Sequence, residues 1–145
     1  MFELLAIEKW ITGALQAQPE AQALGTRAYA EIVPEGAAFP AFLFSRQSAS
    51  DTVGGGAVRI LTQPVYYVRA VVSADCFDAL GGLANAVDRA MQATPDTPPV
   101  TLDGVVVRGA YREQPMIGSQ ADSGVVYTYA GGMYRIFAYA GSEGN

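Results

Sequence analysis

The stretch PVYYVRAVVSADCFDALGGLANAVDRAMQA, Pro64 to Ala93, changes its hydrophobic period halfway along, and that change decides the fold. In the first half Tyr66, Val68, Ala70, Val72 and Ala74 alternate with Val65, Tyr67, Arg69, Val71 and Ser73. This two-residue repeat is that of a strand with one wholly apolar face and one mixed face. In the second half Leu80, Leu83, Val87 and Met91 recur at helical spacing, with Asn85, Asp88, Arg89 and Gln92 opposite. The two apolar faces predict a helix that packs Leu80, Leu83, Val87 and Met91 on Tyr66, Val68, Ala70 and Val72. Gly81 and Gly82 work against the helix, since glycine costs about 1 kcal/mol relative to alanine; close packing on the sheet would explain them. Asp75 and Asp78 sit at the strand-to-helix junction, where helix capping is the expected role.

Upstream, Leu4, Ile7, Ile11, Ala14 and Leu15 share one face of an N-terminal helix, and Glu3, Glu8 and Thr12 fall largely outside it. Its charged residues, and an apolar run short of the roughly 20 residues a bilayer crossing requires, predict a docked amphipathic helix, neither signal nor membrane anchor. Pro19 ends or kinks this helix, and AQALG adds one turn before Gly25. TRAYAEIVP reads as extended, EGAAF as a turn, and Ala41 to Gln47 as a strand.

Between that strand and the next lies SASDTVGGGAVR, Ser48 to Arg59. Compact domains usually join neighbouring strands with about 2–5 residues. Three consecutive glycines and little apolar surface cannot offset the roughly 1–2 kcal/mol per residue that ordering a backbone costs. The expectation is a long mobile hairpin loop that becomes ordered against a partner, with Ser48, Asp51, Thr52, Val53, Gly54, Gly55, Gly56 and Arg59 as the candidate partner-binding residues. A passive surface loop is the competing reading.

Downstream, TPDTPP breaks the chain, and TLDGVVVRGAYRE is a strand entered through an Asp103-Gly104 turn. In GVVYTYAGGMYRIFAYA, Gly131-Gly132 is a tight turn or a bulge; with a bulge the run is one long bent strand. The element order predicts a single α+β domain over residues 1–145, a mostly antiparallel sheet of about four to five strands with two helices on one face.

The 145 residues are half apolar, carry a net charge of −5 and include no histidine. The absence of histidine removes the usual general base, the commonest zinc ligand and every Ser-His or Cys-His pair. The expectation is therefore no enzyme, no metal and no cofactor. Cys76, the single cysteine, excludes an internal disulfide and reads as a buried hydrophobe beside Phe77. VGGGAV lacks the Lys-Ser/Thr that completes a phosphate-binding loop. The nine basic residues are scattered singly, which argues against nucleic-acid binding and against a base-stacking role for Tyr66, Tyr67, Tyr127, Tyr129, Tyr134 and Tyr139.

Three blocks carry a family likeness: RAYAEIVPEGAAFPAFLFSR, with its two prolines around a small-residue turn; YYVRAVVSAD feeding a helix through Asp75; and the closing aromatic and Arg strand MYRIFAY. In this order they resemble the tail completion or tail terminator proteins of long-tailed bacteriophages and related prophage or gene-transfer-agent elements. Cys76 standing before Phe77 and the proline-rich TPDTPP depart from that pattern. The resemblance implies a virion protein assembled in the host cytoplasm as a homohexameric ring. Such a ring caps the tail tube at its final length and joins the neck or head-completion protein, while DNA passes through without specific binding. Its partners would be other copies of itself, the major tail tube protein and the neck protein, with no membrane. Arg46, Tyr67, Arg69 and Arg135 are the candidate subunit or tube contacts. A neck or head-completion protein of the same virion, and a small-ligand binding α+β domain, are the alternatives.

Overall fold

A computed structural model describes residues 2–53, 59–92 and 97–140. Helix α1 (Phe2–Gln16) is followed by the short α2 (Pro19–Leu24) and by strands β1 (Arg27–Ala30), β2 (Ala41–Ser48), β3 (Asp51–Val53), β4 (Arg59–Thr62) and β5 (Val65–Ser73). A 3-10 helix (Ala74–Ala79) leads into α3 (Leu80–Met91), and β6 (Val100–Leu102), β7 (Val105–Asp122) and β8 (Val125–Ala140) complete the sheet. Pro19 opens α2, and Gly25 closes it with the left-handed backbone that lets its N–H reach the last carbonyls.

The class is α+β as expected, but the sheet is larger and mixed. It has eight strands in the order β1-β2-β5-β8-β4-β3, with β7 also on β8 and β6 on β7. β1 lies parallel to β2, and the other pairs are antiparallel. The expected four to five strands undercount because two strands are each broken in two and the run read as one strand, TLDGVVVRGAYRE, contributes to two, β6 and β7. The pairs Ser48↔Val65 and Asp51↔Thr62 keep one stagger, and the Gln63 N–H donates to the Ser50 carbonyl between them. Thus β3 continues β2, β4 continues β5, and together they form one long hairpin. The loop predicted over Ser48–Arg59 is accordingly paired at both ends: Asp51, Thr52 and Val53 oppose Thr62, Leu61 and Arg59, and the Thr62 hydroxyl donates to Asp51 Oδ1 at 2.9 Å. Gly54, Gly55 and Gly56 lie outside the described residues.

Gly131-Gly132 is no turn. β8 runs unbroken through both glycines, with the bulge on β7 between Arg112 and Gln114. A Cβ on Gly131 would lie 2.0 Å from the Val68 carbonyl oxygen, and one on Gly132 would lie 2.8 Å from that of Gln114. Glycine here permits the strands to close on one another. The turns of the β6–β7 and β7–β8 hairpins are Asp103-Gly104 and Ser123-Gly124, all four residues at positive φ as a two-residue hairpin turn demands.

The core lies between the helices and one sheet face. Tyr66, Val68, Ala70 and Val72 are sealed against Leu80, Leu83, Val87 and Met91, as the two periodicities predicted. Ile7, Ile11 and Leu15 of α1 join them with Phe42 and Phe44 of β2 and Ile136 of β8. Four local expectations fail. Glu3, placed outside the apolar stripe, is buried. Gly81 and Gly82 face open space, so close packing does not explain them. The N-cap positions fall on Ser73 and Ala79 without side-chain cap bonds, so Asp75 and Asp78 do not cap. Cys76 is half-buried rather than buried, its Sγ 3.5 Å from the Ser73 hydroxyl. Among the described residues no helix is long and apolar enough to cross a membrane.

Candidate functional site

Because both long helices cover one face, the mixed face of β5 is left for a different use. Leu43 and Ser45 of β2, Tyr67 and Arg69 of β5, and Tyr127 and Tyr129 of β8 line the floor of an open hollow of about 1030 Å³. Pairing explains the grouping: Arg69 sits between Leu43 and Gly131, and Tyr67 sits between Ser45 and Met133. Gly131 brings no side chain to the floor, and Gly118 on β7 leaves room for Tyr129, whose hydroxyl would lie 2.6 Å from a Cβ there. One wall is the segment Glu31–Phe39, which turns back after β1 at Glu31, a residue with positive φ. This wall is fastened at two points. The Glu31 carboxylate accepts the Arg46 N–H at 3.1 Å, and the Phe39 ring packs 4.9 Å from that of Tyr127. The opposite wall is the tip of the β7–β8 hairpin, including Asp122 and Val125.

At the centre the Arg69 guanidinium lies 4.0 Å over the Tyr67 ring and 5.6 Å from that of Tyr129, and the two rings meet edge to face. Such stacking is worth about 0.5–2 kcal/mol. It does not satisfy the polar atoms: Arg69 Nη1 and the Tyr67 hydroxyl are both sealed from solvent without a hydrogen-bond partner. Burial pulls the Arg69 guanidinium below its ordinary pKa, opposed by the neighbouring tyrosines and Glu31. Burial likewise raises the Tyr67 phenol.

The second notable surface is the far half of the β7–β8 hairpin. The Arg112 N–H of β7 donates to Gln92 Oε1 at 3.3 Å, and from Glu113 onward β7 has only β8 as a strand partner, so its outer edge is unpaired there among the described residues. This arm carries Ile117, 78 % exposed, and Val126, 54 % exposed. Ile117 opposes Ala130, and Val126 opposes Ala121.

The four contact residues expected from the sequence do not come together. Tyr67 and Arg69 share the hollow. Arg46 lies on the helix side, 3.4 Å from Glu8, and Arg135 is held by Glu113 at 2.7 Å away from the hollow. Sequence reasoning missed Glu31, Phe39 and Tyr129 as parts of this site. Alternation alone places Tyr127 and Tyr129 on one face of β8, but the register that sets them beside Arg69 is not written in either strand.

A scan against family models returns no match to this chain, and a search of curated proteins finds no similar sequence.

Proposed function

We propose that this chain is a structural subunit of a phage-type tail: a terminator that assembles as a homohexameric ring, caps the tail tube and offers a joining surface to the neck. The observation that supports it most is the exposed β7–β8 arm. A long, unpaired strand edge with Ile117 and Val126 in solvent is costly for a monomer, because it invites pairing with other chains. In a ring the same arm reaches the neighbouring subunit, and an acidic ring of net charge −5 per chain lets DNA pass without holding it. The protein acts through contact rather than catalysis, in the virion at the head-proximal end of the tail. Sedimentation velocity with negative-stain imaging, on the protein alone and mixed with tail tubes, tests this: rings on tube ends are expected, and monomers under both conditions overturn it.

A neck protein of the same virion fits the arm as well. A small-ligand binding domain is favoured by a different observation, the walled hollow with polar groups converging on its floor.

A further inference from the structure

Most cations of this chain are matched to a carboxylate. Lys9 pairs with Asp103, Arg46 with Glu8, Arg89 with Glu20, Arg112 with Asp88 and Arg135 with Glu113. Arg27 and Arg108 are exposed, where water serves them. Among the arginines whose side chains are described, Arg69 alone is half-buried and without a carboxylate. A partly desolvated guanidinium with an orphaned Nη1 is destabilising on its own, and the Tyr67 hydroxyl beside it is orphaned too. Both side chains line the floor of the same hollow, so a small shift of the guanidinium or the ring lets a single incoming group serve both.

The chemistry of that group follows from the surroundings. Guanidinium presents a planar fork that matches a carboxylate bidentately, and the Tyr67 hydroxyl can donate to the same oxygens. Glu31, Glu35 and Asp122 also line the hollow, and three carboxylates repel a doubly charged phosphate more strongly than a singly charged carboxylate. About 1030 Å³ is far more than one carboxylate fills, and Ile32, Val33 and Phe39 supply apolar surface on one wall and Val125 on the other.

We propose that the Arg69 hollow is a docking site for an acidic peptide segment of a partner protein, one Asp or Glu side chain seated on Arg69 and Tyr67 with apolar neighbours against the walls. This deepens the assembly reading and rests on it for the partner's being a protein.

The test is a random heptapeptide array probed with the full, fluorescently labelled chain. Bound peptides are expected to share one Asp or Glu flanked by apolar residues. Replacing that residue by Asn or Gln should weaken binding at least tenfold. Arg69→Gln should lose the same peptides. Arg69→Lys, which keeps the charge but not the fork, should bind them several-fold more weakly. Circular dichroism and melting of each variant establish that the fold is kept, and competition on the unaltered chain reads the site independently of any variant. Sodium acetate should displace the peptides at lower concentration than inorganic phosphate. No enriched peptides, an enriched motif without an acid, equal binding by Arg69→Gln, or stronger displacement by phosphate each overturns the proposal. Selective displacement by acetate with no acidic peptide enriched points to a small carboxylate ligand and overturns it as well. The array needs no ring or tail, so tails of normal length made without this protein would sink the terminator reading and leave a positive array result standing.

Discussion

Tyr66 and Tyr134 lie directly opposite one another on β5 and β8, and each sends its phenolic hydroxyl to a carboxylate on a different helix. Tyr66 donates to Glu8 of α1 at 2.7 Å, and Tyr134 to Asp88 of α3 at 3.0 Å. Each carboxylate is also shared with an arginine of the sheet, Arg46 and Arg112, both at 3.4 Å. One cross-strand pair therefore ties both long helices to the sheet through polar bonds at the margin of the apolar layer.

Replacing either tyrosine by phenylalanine keeps the ring and removes only the bond. Tyr66→Phe and Tyr134→Phe are each expected to lower unfolding stability by about 1 kcal/mol, measured by urea titration. A change at or above the unaltered protein's stability would show the bonds to be dispensable.

Burial first, and then the Glu8 or Asp88 bond, raises both phenols above their ordinary value. A phenol with a raised folded pKa favours the fold through its neutral form. That contribution is full below the unfolded value of about 10 and declines as pH climbs from there toward the folded value. Spectroscopic titration of the native protein at alkaline pH should find three of the eight tyrosines, Tyr66, Tyr134 and Tyr67, resisting ionisation beyond the ordinary range. Stability should fall over the same range, and the fall should be shallower in the double phenylalanine variant.

Two glycine substitutions should act in opposite directions. Gly131→Ala drives a methyl into the Val68 carbonyl, 2.0 Å away, and is expected to cost several kcal/mol or prevent folding. Gly82→Ala meets open space near the start of α3 and should raise stability by about 0.5–1 kcal/mol. Thermal melts decide both.

On the arm, Ile117→Asp and Val126→Asp replace exposed side chains, so the monomer's melting should shift by no more than about 0.5 kcal/mol equivalent. Ring formation should be lost, read by sedimentation velocity. A variant that unfolds instead would place these residues in a packed layer.

The pairing of Val53 with Arg59 allows residues 54–58 to be replaced by Asn-Gly without disturbing β3 or β4. Stability should be nearly unchanged, because closure entropy varies slowly with loop length. In a terminator-deficient phage the shortened chain is expected to give overlong tails or tails that fail to join heads; normal tails and yield would make this segment dispensable.

The core was legible where one periodicity sufficed. Val68 and Val87 announce their faces by spacing along their own elements, and both are sealed. What could not be read depends on partners distant in sequence. Nothing in Arg27–Ala30 says that it runs parallel to β2, and Gly131 looks like a turn until β5 is laid against it. The same limit hid the hollow. Arg69 reads as one charge on a mixed face, and only the glycine opposite, the folded-back Glu31 segment and the missing carboxylate make it a site.

The place of β8 between β5 and β7 has a consequence for synthesis. About fifty residues separate Ser73 from Val125, and at about 5–20 residues per second the ribosome takes roughly 3–10 s to deliver them. Throughout that interval β5, a strand with six of its nine residues buried in the finished fold, has β2 on one side and nothing on the other. Nascent chains are then at their stickiest, and two polysomal neighbours can zip β5 to β5. Dense loading of ribosomes on one message should therefore yield aggregates built from chains lacking β8, while sparse loading leaves fewer uncovered β5 strands within reach of one another during the wait.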